Sequence, residues 1–132
     1  MGKPERKVGL VAGKFHPCPE KKVCVSTQAP KEDEDHYIEP IPFTGSWQEA
    51  KETIKSVINS MKRTEILEEK ENYLRVKFTT LLFRFKDDVE FLFDEEEKLI
   101  HFRSQSRIGG YDWGKNRSRM EEIRELYKKK SK

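Results

Sequence analysis

"YLRVKFTTLLFRFKDDVEFLFDEEEKLIHFRSQS" runs from Tyr73 to Ser106. Its apolar residues recur at every second position, the period of a half-buried strand. In "YLRVKFT", Leu74, Val76 and Phe78 share one face. "LLFRFKD" and "DVEFLFD" read as the next strands. The second sets Val89, Phe91 and Phe93 against Glu90 and Leu92. "EEEK" supplies a turn, and "LIHFRSQS" closes the series. There Ile100, Phe102 and Ser104 alternate with Leu99, His101, Arg103 and Gln105. Upstream, "TEILEE" is a short strand and "KEN" a turn. Connections this short join antiparallel neighbours, so the stretch predicts a meander.

Helical periodicity flanks it on both sides. In "GSWQEAKETIKSVINSMKR", Ser46 and Glu49 have capping-box spacing. Trp47, Ala50, Ile54, Val57, Ile58 and Met61 fall on one face, with Lys51, Glu52 and Lys55 turned away. "DWGKNRSRMEEIRELYKKK" reads as a second helix with Asp112 as N-cap. Its apolar stripe is Trp113, Met120, Ile123 and Tyr127, and its terminal lysines suit the helix dipole. All six prolines lie within residues 1–45, which argues against long regular elements there. "HYIEPIPF" reads as extended chain along a sheet edge, where a missing N–H does little harm. The expected fold is α+β: an antiparallel meander of four to five strands with two main helices packed on the sheet. Residues 1–15 are expected as a flexible segment, 16–128 as a single domain and 129–132 as a basic tail.

The 132 residues are 34% hydrophobic and 39% charged, a balance that verges on disorder. Eight Phe, four Tyr and two Trp in periodic segments argue for a thin but real core under a charged surface. The net charge of +3 is unevenly spread: residues 95–132 hold 11 basic against 7 acidic. Nothing has the length and apolarity of a membrane span, and no leader is legible, so a cytoplasmic protein is the default expectation. The basic segment matches no nucleic-acid module.

That excess belongs to "RSQSRIGGYDWGKNRSR", Arg103 to Arg119. Arg103, Gln105 and Arg107 share one strand face, and Ser104 and Ser106 the other. Gly109 and Gly110 allow a tight turn, and a helix N-terminus follows. Guanidinium groups fit carboxylate or phosphate. Arg103, Arg107, Asn116 and Arg117 are therefore the candidate anion or ligand site, supported by Asp87, Asp88, Ser104, Ser106 and Asp112. Asp87 and Asp88 are strand neighbours on opposite faces, so they cannot act as an acid–base pair.

The leading expectation is a non-enzymatic binding module for an anionic small molecule, a lipid head group or a partner protein. No cofactor or metal is implied. An enzyme is the second reading, with Cys24, Ser26, His36 and Asp88 as its candidate groups. In the third, the arginines pair internally with Asp87, Asp88 or Asp112 and the motif is structural. Scattering of the four site residues over unrelated faces would remove the first. Cys18 and Cys24 match no standard zinc spacing, which leaves free thiols, a local disulfide and a metal pair open.

The strings "CPEKKVCVST", "HYIEPIPF", "FRFKDDVEFLFD" and "RSQSRIGGYDWGKNRSRMEEIR" resemble domain-of-unknown-function family 1499 (DUF1499). That family pairs a CP…NCVSS-type opening with an F-x-DD-x-EF strand. It ends on RS-x-SR-x-G-x-x-D-x-G-x-NR-x-R. The likeness extends from about His16 to Arg124 and departs at Lys22, Val23 and Thr27. It implies bacterial or photosynthetic relatives, many with leaders or membrane segments. It implies no reaction, cofactor or substrate.

Overall fold

The computed structural model describes residues 7–131. The expectations for residues 1–6 of the flexible segment and for Lys132 of the tail lie outside the described residues. In chain order the elements are β1 (Leu10–Val11), β2 (Lys14–Phe15), β3 (Cys24–Ser26), β4 (Ile41–Pro42) and α1 (Trp47–Ser60). Then come β5 (Thr64–Glu69), β6 (Tyr73–Thr79), β7 (Lys86–Asp94), β8 (Leu99–Ser106) and α2 (Lys115–Lys130). The main sheet runs β3-β8-β7-β6-β5, with β4 beside β3 on the β8 edge. Every pairing between its strands is antiparallel. The α+β class is as expected, with six strands in the main sheet instead of four to five.

Strand alternation sets the core. Leu74, Phe91 and Phe102 align across three strands, as do Val76, Val89 and Ser104. This face is covered by Ala50, Ile54, Val57 and Ile58 of α1 and by Met120, Ile123 and Tyr127 of α2. The Ser46 hydroxyl oxygen accepts a bond from the Glu49 N–H, and the Glu49 carboxylate accepts one from the Ser46 N–H, closing the capping box. The opposite sheet face is not left to water. The β1–β2 hairpin crosses it, packing Phe15 against Tyr73 and Leu92. So the described part of residues 1–15 is folded onto the sheet, and the basic tail begins within α2.

Three local expectations are corrected. No strand forms over Leu81–Phe85: β6 and β7 pair from Tyr73↔Leu92 to Thr79↔Lys86, leaving residues 80–85 as the loop. Apolar alternation there reflects no burial, since Leu82 is 79% and Phe83 69% exposed. Lys51 does not point away. It is buried, with Nζ donating to the carbonyls of Lys70 and Glu71 at 2.7 and 3.0 Å. Trp113 is not part of the α2 stripe: the helix begins at Lys115, its N-cap is Gly114, and Trp113 is 85% exposed.

Two phenylalanines in the same run should therefore respond very differently. Phe91→Ala should cost about 3–5 kcal/mol in urea unfolding, through lost burial and the cavity left behind. Phe83→Ala should stay within about 0.5 kcal/mol.

Candidate functional site

The register of β6, β7, β8 and β3 builds a polar layer on the hairpin-covered face. Arg75, Glu90, Arg103 and Ser26 form one cross-strand row; Lys77, Asp88, Gln105 and Cys24 form the next. Asp88, Glu90, Arg103, Gln105 and Ser26 are all buried. Burial of charge is costly unless partners replace water. Arg107 supplies Asp88 with a two-pronged pair, Nε to Oδ2 at 2.9 Å and Nη2 to Oδ1 at 3.0 Å. Arg75 approaches the same carboxylate at 3.5 Å. The bond to Asp88 holds the Arg107 guanidinium above its ordinary pKa.

Glu90 and Arg103 are less completely served. Glu90 Oε2 accepts from the Tyr73 hydroxyl at 2.5 Å and the Gly9 N–H at 2.7 Å. Arg103 Nη2 donates to Gln105 Oε1 at 2.6 Å and to the Pro17 carbonyl at 3.1 Å. Arg103 Nη1 stands 3.6 Å from Glu90 Oε1, a separation too long for a good hydrogen bond. Those two atoms, with Arg103 Nε and Gln105 Nε2, have no hydrogen-bond partner among the described residues. Burial pushes the Glu90 carboxyl up and the Arg103 guanidinium down from their ordinary values. Burial, then the Glu90 carboxylate, raises Tyr73.

A second polar set lies on the helix side of the same strands. Asp87 pairs with Arg119 Nη2 at 2.6 Å, and the Arg119 guanidinium also lies over the Phe78 ring. Asn116, fully buried at the start of α2, accepts from the Ser104 hydroxyl at 2.5 Å. Its Nδ2 is within reach of Asp112 Oδ2, Ser106 Oγ and the Val23 carbonyl, at 2.7, 3.0 and 3.2 Å. One amide thus ties α2 to β8 and to the chain entering β3. Asp112 acts from before the helix, its carboxylate accepting from the N–H groups of Gly114 and Asn116. Arg117 reaches the carbonyls of Glu34 and Asp35.

The four expected anion ligands are therefore not brought to one place. Arg103 and Arg107 face the hairpin side, Asn116 meets Ser104 and Ser106 on the helix side, and Arg117 spans to the 34–35 loop. Each guanidinium meets protein acceptors. Ser104, Ser106, Asp87, Asp88 and Asp112 all belong to these internal networks. Tyr73, Glu90 and Arg119 are not among the expected site residues, although the family pattern falls on Glu90 and Arg119. Counting back from the turn that pairs Asp94 with Leu99 places Glu90 opposite Arg103, which was the available signal. Arg119 lies three residues after Asn116, one helical turn on.

Cys18 and Cys24 are joined as a disulfide. The loop it closes presents the Lys21 carbonyl to His36 Nε2 at 3.0 Å, while Nδ1 meets Asp33 at 2.8 Å. Burial opposes a charge on His36. The Lys21 carbonyl and the Asp33 carboxylate outweigh it and leave the imidazole above its ordinary value of 6.5. Ser26 Oγ accepts from the Gln28 N–H. Among the described residues, Asp94, Glu97 and His101 are the set with metal-ligand spacing, their atoms within 4.8 Å of one another. No helix of the described residues is long and apolar enough to cross a membrane.

Asn116→Ala strips partners from several buried groups at once and should cost about 2–3 kcal/mol, read by urea unfolding. Arg117→Ala, at a more exposed position, should cost under about 1 kcal/mol. The protonated His36 favours folding. Its contribution is complete below about pH 6.5 and is lost as pH rises through the raised folded-state value. The stability gap between wild type and His36→Gln should shrink on going from pH 6 to pH 8; a gap that widens would contradict this assignment.

No curated protein and no solved structure matches this chain. A family match covers residues 14–126, under the description "Protein of unknown function (DUF1499)". It spans every strand of the main sheet, both aspartate–arginine pairs and most of α2. The chain belongs to the DUF1499 family.

Proposed function

We propose that this chain is a non-enzymatic binding module whose arginine-rich stretch is an internal clamp, with its working surface on the exposed loops at the same end of the sheet. One observation carries the reading: the guanidinium groups of Arg103, Arg107, Arg117 and Arg119 are turned onto the protein's own acceptors. These contacts support acceptors within the protein (Asp88 for Arg107, Asp87 for Arg119 and main-chain carbonyls for Arg103 and Arg117) over an external anion. The enzyme reading has less support. The Cys24 sulfur is in a disulfide, His36 is held by Asp33 and Lys21, and Asp88 by Arg107 and Arg75. The disulfide also favours an oxidising compartment over the cytoplasmic default.

Removing the Arg107 charge separates clamp from ligand site. Arg107→Met leaves buried Asp88 facing Arg75 alone among the pairs described above, and should lower stability by about 2 kcal/mol. That is less than for a fully buried pair, because the Arg107 side chain is one-fifth exposed. Titration of the wild type with inorganic phosphate should show no saturable site that Arg107→Met removes. Unchanged stability together with loss of such a site would overturn the clamp reading.

A further inference from the structure

The end of the sheet where β6 leads into β7 and β8 leads into α2 carries an unusual surface. The 80–85 loop projects Leu81, Leu82, Phe83 and Phe85 into solvent. The Arg107 N–H donates to the Lys86 carbonyl, so the 107–114 loop leaves the sheet beside this tip. It adds exposed Tyr111 and Trp113, in edge contact with ring centroids 4.7 Å apart. Large apolar residues gathered on one exposed surface mark an interaction site.

The charge around the tip narrows what it meets. Lys21, Lys62, Arg63, Arg84, Lys86 and Lys115 are exposed on the segments that reach this end. Lys62, Arg63, Leu81 and Lys115 line one surface groove, which places three of those segments side by side. Asp87, Asp88 and Asp112 are engaged internally; the exposed acids nearby are Glu20, Glu122 and, beside Tyr111, Glu34 and Asp35, the last paired with Lys22. The far end of the sheet is acidic, with Asp94, Glu95, Glu96 and Glu97 in the β7–β8 turn.

On the basis of the reading above, we infer that this end docks on an anionic lipid surface. The tip is a projecting loop, a shape suited to entering a headgroup layer. Leu82 and Phe83 would enter it, Trp113 and Tyr111 would sit at its polar boundary, and the basic collar would face the headgroups. The acidic turn would point to solvent. A second copy of this chain is a poorer occupant, because two such ends would set like charges against each other.

The test is sedimentation of the disulfide-intact protein with vesicles of phosphatidylcholine alone or mixed with phosphatidylserine. Binding is expected with the mixture and not with phosphatidylcholine alone, and should weaken as salt is raised. The Leu82→Asp, Phe83→Asp double variant should lower it at least about tenfold, with thermal unfolding unchanged. Arg84→Ala and Lys86→Ala should each weaken it about fivefold. Trp113 emission should shift to the blue on binding, a change absent in Trp113→Phe. No sedimentation of the wild type with phosphatidylserine vesicles, or equal sedimentation with neutral ones, overturns the lipid inference and leaves the clamp reading standing. Full binding by the double aspartate variant places the working surface elsewhere and overturns both the lipid site and the working surface proposed above, while the arginine clamp is judged by its own pairs.

Discussion

Two adjacent carboxylates on β7 organise one end of this domain. Asp87 and Asp88 are strand neighbours, so they project to opposite sides of the sheet, and both are buried. Each needs a cation from a different layer. Arg119 of α2 comes from the helix side, and Arg107, just past β8, from the hairpin side. The sheet end, the second helix and the chain that links them are thereby held in one arrangement. Charges buried like this give little net stability over apolar residues, yet leaving one without its partner is costly. On the proposed clamp reading, their effect is to forbid other arrangements.

Asn116 extends the same constraint. It joins the start of α2 to Ser104 and Ser106 of β8 and to the Val23 carbonyl, beside the disulfide-bonded Cys24. On the other face, Arg103 carries the constraint to the Pro17 carbonyl, and Glu90 to the Gly9 N–H. The N-terminal hairpin is thus tied to the sheet through charged groups as well as through Phe15. With these loops fixed internally, the large apolar residues left facing water at this end are those of the 80–85 tip and the 107–114 loop. A rigid scaffold that presents exposed loops is a common arrangement for a binding surface.

Much of this was legible in the residues, for definable reasons. Period-two alternation around Leu74, Phe91 and Phe102 reports a sheet with one apolar face, and the capping box reports where α1 begins. Leu81–Phe85 misled because apolar alternation records chemistry, and exposure depends on where the hairpin closes. Trp113 misled similarly: it has helical spacing to the α2 stripe, but Gly114, with φ of +75°, starts the helix after it. Lys51 was misplaced because long-range carbonyls from Lys70 and Glu71 receive its ammonium, and spacing on the helix carries no trace of them. The opposite projection of Asp87 and Asp88 followed from strand geometry alone. Which arginine each would meet depended on how α2 packs. The state of Cys18 and Cys24 depended on their distance across the loop.

The clamp is tested most directly by double-mutant cycles on the two pairs, Asp88→Asn with Arg107→Met and Asp87→Asn with Arg119→Met, read by urea unfolding. Each cycle should give a coupling energy of at least about 1.5 kcal/mol, in the range of residues sharing one network. Coupling near zero for both, as for ordinary exposed ion pairs, would contradict the account and return the arginines to the search for an external ligand.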